Sequence, residues 1–166
     1  KLSKVRGKVV FTGIGKSAHI AQKISSTMSS TGTQSQFYHA TEMSHGDLGG
    51  VSKNDLVIIL SNSGNSLELK GVLEFCKKNK ISTIGVSSNK NSYLINSSEM
   101  SLVIPDTEEA CSLGLAPTTS TSMMLVLGDV ICVSLMKIKN FTVKDYRNIH
   151  PGGSLGESLL QVKKIM

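Results

Sequence analysis

Short apolar runs alternate along the chain with segments whose apolar residues recur every three or four positions. The runs predict five β-strands, at KVVFTG (8–13), QSQFYH (34–39), LVIIL (56–60), STIGVSS (82–88) and MSLVIP (100–105). Strands that alternate with helices and are apolar on both faces are typical of a parallel sheet that helices cover on both sides. The sequence therefore predicts an α/β fold, a three-layer αβα sandwich around a five-stranded parallel sheet.

The segments between the strands carry the helical pattern. Ile20, Ile24 and Met28 fall four residues apart and predict a helix from about Ser17 to Ser30. Further helices are predicted with Leu69, Val72, Leu73 and Cys76 on one face, at NSYLINS (91–97), at MMLVLGDVICVSLMKI (123–138), and after a turn in YRNIHPGGSLGESLL (146–160). The polar segments that predict loops are TEMSHGDLGGVSKN (41–54) and DTEEACSLGLAP (106–117).

The segment 123–138 is almost entirely apolar, so it could be either a membrane-spanning helix or a buried helix of a globular protein. It is too short to cross a bilayer, which needs about 20 apolar residues, and Gly128 and Asp129 interrupt it. A helix that is apolar on every face usually lies in a protein core or at a subunit interface. We therefore predict a core or interface helix and no contact with a membrane.

Composition narrows the class further. The 166 residues, 39% of them hydrophobic, suffice for one domain spanning 1–166, and the net charge is +6. Aromatic residues make up only 4%, too few for the base stacking that nucleic-acid binding uses, so the charge predicts a surface that attracts small anions. Cys76, Cys111 and Cys132 match no metal or disulfide spacing. Together with the lack of a signal peptide, this predicts a cytoplasmic protein without a metal.

The first strand leads into GIGKSA (13–18), which matches the dinucleotide pattern G-x-G-x-x-[G/A]. That pattern needs an acid at the end of the second strand, where this chain has FYHAT and its first acid is Glu42. A P-loop is disfavoured too, because the glycine five residues before GKS is missing. What remains is a helix N-terminus with Gly15, Lys16 and Ser17, which predicts anion binding without a nucleotide cofactor.

The third strand leads into SNSGNS (61–66), a turn far more polar than tight turning requires. Gly64 permits the turn, and the helix predicted to start near Ser66 offers free N–H groups. The candidate contacts are Ser61, Asn62, Ser63 and Ser66. Hydrogen bonds to a charged group contribute roughly 1.5–3 kcal/mol each, so two or three of them would hold a phosphate monoester. The turn therefore predicts a phosphate cradle, the alternative being a serine-rich helix cap without a ligand.

Several segments together resemble one family. They are GIGKSAHIAQKISSTMSSTGT, HATEMSHGDLG, VIILSNSGNSLEL, EEACSLGLAPTTSTSMMLVLGD and HPGGSLG. In this order, and over nearly the whole chain, they resemble the sugar isomerase (SIS) domain of D-arabinose-5-phosphate isomerases, which has a flavodoxin-like fold. Members often carry two CBS domains after this domain. The sequence ends at about the place where these would begin, and it lacks the helical segment that usually precedes the first strand.

The resemblance implies an aldose–ketose isomerase that interconverts D-ribulose 5-phosphate and D-arabinose 5-phosphate and supplies Kdo for lipopolysaccharide or capsule. It also implies a homotetramer with active sites at subunit interfaces and without a metal or other cofactor. The family's four catalytic positions fall on Lys16, Glu68, Glu109 and His150. The chain departs from the usual pattern at Asn65, where many members have glutamate, and at Ser112, where many have proline; neither position carries the chemistry.

An aldose–ketose isomerase moves a proton between C1 and C2 through an enediol, and this chemistry assigns roles to the acidic and basic residues. Glu109, on the long loop after the fifth strand, is the first candidate for the base, with a solvated loop charge beside Glu108 as the alternative. The sequence does not decide between the carboxylates of Glu109 and Glu68. Glu68, in the first turn of the helix beside the cradle, is predicted to position hydroxyls, with a dipole-stabilised helix acid as the alternative. Lys16 is predicted to stabilise the enediolate or the phosphate.

The histidines fall into two groups. His150 is predicted either to assist ring opening at neutral pH or to cap a helix before Pro151. His45, in SHGDLG, is predicted to hold sugar hydroxyls, whereas His19 and His39 are predicted to be structural.

Two other functions would use the same turns. A non-catalytic sugar-phosphate sensor would keep the serines but would not need Glu109 and His150. A different SIS isomerase would act on another sugar phosphate. A dinucleotide-dependent oxidoreductase is disfavoured by the missing acid after the second strand.

Overall fold

The computed structural model describes residues 1–151, in which two layers of helices enclose one sheet. The strands are β1 (Val9–Gly13), β2 (Ser35–His39), β3 (Leu56–Leu60), β4 (Ser82–Ser87) and β5 (Met100–Val103). The helices are α1 (Gly15–Ser30), α2 (Ala40–Met43), α3 (Glu68–Lys78), α4 (Tyr93–Ser97), α5 (Thr119–Ile138) and α6 (Val143–Ile149), with 3-10 turns at Leu2–Lys4 and Asp47–Gly50. All five predicted strands are confirmed, each to within two residues of its predicted bounds.

The sheet is parallel throughout, with its strands in the order β2-β1-β3-β4-β5. At its centre, Phe11 of β1 lies opposite Phe37 of β2 and Ile58 of β3. The helices α1 and α5 pack on one face, and α2, α3 and α4 pack on the other. The predicted three-layer αβα sandwich with a five-stranded parallel sheet is therefore confirmed.

The side chains of the central strands β1 and β3 pack in two separate cores, because successive side chains of a strand point to opposite faces of the sheet. Every residue of both strands is buried. Val9 and Phe11 join the core under α1 and α5, whereas Val10 joins the core under α2, α3 and α4. Fully burying such a side chain stabilises the fold by roughly 1.5–3 kcal/mol. These two strands therefore give firm anchorage to the polar turns that leave their carboxyl ends.

Helix α5 is apolar on two faces that have different surroundings. Met124, Gly128 and Cys132 are buried against α1, and a Cβ atom on Gly128 would collide with Ile24. The opposite face is exposed, at Val126, Val130, Val133 and Ile138. The helix begins at Thr119, four residues before the predicted start, so the prediction that it is too short to cross a bilayer is wrong. In the described part of the chain, α5 alone is long and apolar enough to cross a membrane, a test that core helices of soluble proteins also pass. Burial in the core is therefore confirmed for one face, and an interface on the other face stays a prediction.

The prediction of a loop over 41–54 is wrong in part, because α2 begins at Ala40 and a 3-10 turn follows it. His39 caps α2, since its Nδ1 accepts a hydrogen bond from the N–H of Thr41 at 3.4 Å. Met43 is buried in the core shared with α3 and α4. This apolar anchor holds a helix too short for its periodicity to be read from the sequence, and His39 is structural, as predicted.

The last helix begins earlier than predicted. The pattern predicts a turn and then a helix within 146–160, whereas the chain is already helical at Val143. Thr142 and Asp145 form a capping box there, with reciprocal side-chain-to-backbone hydrogen bonds. The remainder of the predicted helix, from residue 152 onward, lies outside the described residues.

Candidate active site

The polar turns predicted to carry chemistry all follow strands of the sheet. Because the strands are parallel, their carboxyl ends lie on one edge, and the strand order reverses between β1 and β3. Open α/β sheets bind ligands in the crevice outside such a reversal point. The β1–α1 turn and the β3–α3 turn flank this crevice, so the fold brings the two predicted anion-binding turns together.

The β1–α1 turn carries a lysine to the crevice on a closely packed backbone. A Cβ atom on Gly13 would lie 2.9 Å from the carbonyl oxygen of Leu60, so glycine is required where the two turns approach each other. Gly15, with a φ of +57°, starts α1 slightly earlier than predicted. Lys16 is exposed in the first turn and forms no ion pair within residues 1–151. Its ammonium group is therefore available to an anion in the crevice.

The β3–α3 turn is shaped by its own side chains. Gly64 has a φ of +66°, and a Cβ atom there would collide with Ser92. Ser61 Oγ accepts a hydrogen bond from the N–H of Gly64 at 3.1 Å, and Ser63 Oγ accepts one from the N–H of Asn65 at 3.4 Å. Ser61 is buried, whereas Ser63 is exposed. The predicted serines therefore differ in role, because the oxygen of Ser61 shapes the turn and Ser63 faces solvent.

Strand β4 braces the same turn from the side. The backbone oxygen of Asn62 accepts hydrogen bonds from Ser87 Oγ at 2.8 Å and from Ser88 Oγ at 3.1 Å. The N–H of Leu94 donates to the Gly64 oxygen at 2.9 Å. The side-chain Oδ1 of Asn62 is buried without a partner in the described residues, which makes it a candidate acceptor for a ligand. Sequence reasoning missed the two bracing serines, although their place at the end of a strand was a signal.

Helix α3 begins at Glu68, later than the predicted start near Ser66. The N–H groups of Ser66, Leu67 and Glu68 have no acceptor within residues 1–151, as is usual at a helix N-terminus. Such groups carry a partial positive charge that favours anions. They therefore supply the donors that the predicted phosphate cradle requires.

Glu68 itself lies at this end of α3 with no protein partner. Its side chain is exposed and makes no hydrogen bond or ion pair among the residues that the structure describes. Helix α2 packs against α3, and Ser44 lies beside Gly71 of α3. His45, which follows Ser44, is exposed on the same side of the sheet. Glu68 and the predicted hydroxyl-binding His45 therefore belong to one layer.

Glu109 belongs to the opposite layer, at the N-terminus of α5. Its Oε2 accepts hydrogen bonds from the N–H of Thr118 at 2.7 Å, from Thr118 Oγ1 at 3.2 Å and from the N–H of Ser120 at 3.2 Å. Its Oε1 accepts a hydrogen bond from Ser120 Oγ. The bond from the Ser120 hydroxyl, followed by that from the Thr118 N–H, lowers the pKa of Glu109 to about 2. Glu109 is therefore a helix cap, a role that sequence reasoning missed.

Two further contacts define this side of the crevice. The N–H of Ala110 donates to Thr118 Oγ1 at 2.9 Å, which closes the base of the loop 104–118 next to Glu109. Ser17 Oγ lies 3.8 Å from the sulfur of Met124, so the predicted ligand residue Ser17 packs on α5. The first turn of α1 therefore packs on the second turn of α5, and Lys16 lies in the same layer as Glu109.

Beyond this base the loop extends into solvent. Leu113 and Leu115 are 78% and 77% exposed. Cys111 Sγ accepts hydrogen bonds from the N–H groups of Ala116 and Leu115, both at 3.2 Å, and these bonds lower the pKa of the thiol. The tip of the loop is therefore held by its own backbone, and its leucines are uncovered in the single chain.

His150 lies apart from the other three predicted catalytic residues. Helix α5 starts at the carboxyl edge, and its 20 residues span about 30 Å. Just beyond its end, Lys139 Nζ donates to Thr33 Oγ1, next to the start of β2 at the opposite edge of the sheet. Helix α6 follows this point in the chain, and His150 is its C-terminal cap. The Nδ1 of His150 lies 2.8 Å from the backbone oxygen of Tyr146, and the two rings are stacked. Within one chain, His150 is a helix cap and is not brought to the crevice.

A wide cleft of about 820 Å³ continues from the serine turn along the carboxyl edge. Its lining includes Asn62, Ser63, Ser88, Lys90 and Asp106. Lys90 adds a second cation that sequence reasoning missed, because the loop after β4 has no anion-binding pattern. Within residues 1–151, no three His, Cys, Asp or Glu side chains lie close enough together to hold a metal ion.

Comparison with known proteins gives consistent relatives. The chain matches the SIS domain over residues 1–134. Arabinose 5-phosphate isomerase KdsD of Francisella tularensis subsp. tularensis is 46% identical over 162 residues, which are 97% of this chain and 50% of that protein. The KdsD protein of Yersinia pestis is 47% identical over 157 residues, 95% of this chain and 48% of that protein. The chain thus spans about half the length of the curated relatives it matches.

Among solved structures, the Escherichia coli CFT073 protein c3406 in complex with arabinose 5-phosphate has a TM-score of 0.88 and 45% identity, over 90% of this chain and 80% of that one. The segment 1–134 that matches the family contains all five strands and every predicted site residue except His150. The residues that match the family are therefore the same residues that form the sheet and the polar turns at its carboxyl edge. The chain belongs to the SIS domain family.

Proposed function

We propose that the chain is the isomerase domain of an arabinose-5-phosphate isomerase, which interconverts D-ribulose 5-phosphate and D-arabinose 5-phosphate. One observation carries the proposal: a single edge of the sheet combines a phosphate-sized cradle with Lys16 and two carboxylates. Free helix N–H groups and serine hydroxyls suit a phosphate monoester. A module that only binds the phosphate would need the cradle but not the adjacent carboxylate of Glu68, which has no partner within residues 1–151.

The comparisons support this choice of substrate. The two relatives described above carry the name arabinose 5-phosphate isomerase, and the E. coli protein was solved with arabinose 5-phosphate. With 45% identity and a TM-score of 0.88 over 90% of this chain, that complex supports arabinose 5-phosphate as the ligand of this one. We infer further that the product supplies Kdo for lipopolysaccharide or capsule synthesis, and that the protein works in the cytoplasm.

The reaction requires four functions from the site. The cradle residues Ser61 to Ser66 would bind the phosphate and so fix the position of the sugar carbons. A carboxylate would carry one proton between C1 and C2, and positioned acid–base catalysis of this kind typically contributes 10²–10⁴-fold. Lys16 would stabilise the negative oxygen of the enediolate through its ammonium group. His45 would hold sugar hydroxyls from the layer of α3.

The same geometry argues for self-association, and we infer a homo-oligomer, a tetramer as the resemblance implies. Between Ser122 and Met136 the only charged residue is Asp129, which is paired with Lys23 of α1. The exposed face of α5 is therefore largely apolar, with Ser134 as a polar but uncharged residue within it, and such a patch marks an interaction surface. His150, remote from the crevice of its own chain, would serve the crevice of another copy.

Light scattering at micromolar concentration tests this assembly. We expect a tetramer for the unmodified chain and a smaller species for Val130→Lys, because the change puts a charge at the centre of the apolar face. The control Lys144→Ala, on the exposed side of α6, should not alter the mass. A monomeric unmodified chain would contradict both the interface and the shared site.

NMR tests the activity directly. Given ribulose 5-phosphate, the protein should produce arabinose 5-phosphate until the two sugars reach equilibrium, and Lys16→Ala should slow the reaction strongly. Fructose 6-phosphate and ribose 5-phosphate serve as comparison substrates. Binding without turnover of any sugar phosphate would favour the sensor function, and turnover of another sugar phosphate alone would favour a different SIS isomerase.

A further inference from the structure

The two glutamates of the site have opposite surroundings. Glu109 accepts hydrogen bonds from two backbone N–H groups and two hydroxyls at the start of α5. Glu68 accepts none within residues 1–151 and is exposed in the first turn of α3. Glu68 starts α3 on one face of the sheet, whereas Glu109 is bonded to the start of α5 on the other face. Only one of them has its lone pairs available for chemistry.

We propose that Glu68 is the base that removes the proton from carbon, and that Glu109 is a positioning residue which fastens the 106–118 loop to α5. The proposal rests on the isomerase function proposed above, and it replaces Glu109, the first candidate from the sequence, as the base. It concerns which atoms react, so it can fail while the isomerase function stands.

The contacts of Glu109 argue against its use as a base. An ionised carboxylate has about four lone-pair sites, and four donors occupy those of Glu109. Accepting a substrate proton would break at least one of these bonds and leave buried Ser120 or the helix N–H groups without their acceptor. The low pKa of Glu109, about 2, adds to this argument, because it describes a weak base.

The contacts of Glu109 suit a positioning role instead. Its carboxylate joins Thr118 and Ser120 to the start of the loop, and the N–H of Ala110 returns a hydrogen bond to Thr118. These bonds hold the loop at the N-terminus of α5, whose second turn packs on Ser17, the residue after Lys16. Removing the carboxylate would therefore release the loop and the N-terminus of α5 together.

Glu68 has the access that a base needs. It follows the phosphate cradle by two residues, so a substrate held by its phosphate has its sugar chain near the same end of α3. No ion pair or hydrogen bond within the described residues has to be broken before the carboxylate can act. Lys16 approaches from the opposite layer, which would place the base and the oxyanion-stabilising cation on two sides of the sugar.

The proposed step needs no further reactant. The Glu68 carboxylate takes the C2 proton of the open-chain aldose, and the C–H electron pair forms the C1–C2 double bond. The carbonyl electrons move to O1, whose negative charge faces the ammonium of Lys16. Transfer of the O2 proton to O1 and return of the carbon proton from Glu68 to C1 then give the ketose. Atoms and charge balance, and no group is oxidised or reduced overall.

Deuterium exchange tests the assignment in the full chain. In D₂O the unmodified protein should place deuterium at C1 or C2 of the sugar phosphate, as read by NMR. Glu68→Gln should slow exchange by at least about 10²-fold, because the amide has no basic oxygen. Glu109→Gln should slow exchange less than about tenfold, because its amide oxygen still accepts the helix N–H groups. Glu74→Gln on α3 and Glu108→Gln beside Glu109 are the matched controls and should leave exchange unchanged.

Rescue by the conservative variant separates positioning from proton transfer. Glu109→Ala should lower the melting temperature by about 2–4 °C through loss of the cap, and it should raise KM, whereas Glu109→Gln should restore both. The proposal is overturned if Glu109→Gln loses exchange while keeping its melting temperature, or if Glu68→Gln exchanges at the unmodified rate. If the unmodified protein neither converts nor labels either pentose phosphate, the isomerase function fails and the base assignment with it. In that case the melting temperatures of Glu109→Ala and Glu109→Gln would test only the role of Glu109 as a helix cap.

Discussion

Two connections leave the carboxyl edge of the sheet for a helix, and they are built in contrasting ways. The turn 61–67 is short, and β4 and α4 brace it through hydrogen bonds to Asn62 and Gly64. The loop 104–118 is long, and its exposed tip is held only by its own backbone and by the thiol of Cys111. Glu109 ties its base to α5.

The braced turn and the long loop are suited to different tasks. A phosphate cradle works best when its donors are fixed before the ligand arrives, and the neighbours of the short turn fix them. The long loop is fixed at its base by Glu109, whereas its tip extends into solvent. We therefore expect substitutions in the short turn to affect binding and stability together, and substitutions in the loop tip to have smaller effects on both.

The sharpest comparison uses two glycines that both have positive φ, Gly64 at +66° and Gly114 at +63°. Gly64→Ala should cost about 2–5 kcal/mol of unfolding free energy, because left-handed strain adds to the collision with Ser92. Gly114→Ala should cost about 1–2 kcal/mol, since nothing lies within 4 Å of its added Cβ. Urea unfolding measures both, and equal losses would show that the short turn is not braced as described.

The next largest effect is expected on substrate binding. Ser61→Ala combined with Ser63→Ala should raise KM at least tenfold, because charge-assisted hydrogen bonds to the phosphate are lost and the turn loses the oxygen that orders Gly64. Ser112→Ala, in the exposed loop, should leave KM within about twofold. Steady-state kinetics with ribulose 5-phosphate measures both KM values. An unchanged KM in the double variant would show that these serines do not bind the phosphate.

The smallest effect is a pH dependence of stability that comes from the loop. The pKa of Glu109 is about 2 in the folded chain, below its ordinary value of 4.5. Between these values the unfolded chain binds a proton that the folded chain does not, so the contribution of Glu109 is present above about pH 4.5 and is lost as pH falls toward 2. Unfolding curves of the unmodified chain and of Glu109→Gln should therefore converge over this window. Glu108→Gln, beside it, should not show this convergence.

Local patterns in the sequence predict most of the fold. The strands and helix α3 follow from apolar residues whose spacing is set within a few positions, so they are confirmed nearly residue by residue. The turns of the site could be located for the same reason, because each follows directly on a strand. Their residue types, with Gly64 as the clearest case, carry the conformational requirement in the sequence itself.

What the sequence could not supply depends on partners distant along the chain or outside it. The cap made by Glu109 joins residues nine and eleven positions apart across an irregular loop, where no periodicity applies. The four-residue helix α2 is only about one turn long, so no apolar repeat can show in its sequence, and it is held by Met43 in the core. The outer face of α5 is apolar like the inner face, so composition could not distinguish the side that packs on α1 from the side left open.

The parallel order of the strands also constrains the way the chain reaches its fold. Val9 at the start of β1 pairs with Leu56 at the start of β3, across the whole of α1, β2 and α2. The central pair of the sheet therefore forms only after every one of these elements has been synthesised. Non-local pairing of this kind is slow, on a scale of about milliseconds to seconds in small two-state domains. Until β3 arrives, one edge of β1 stays unpaired, and a nascent chain stalled before Leu56 would expose it to aggregation or to a chaperone.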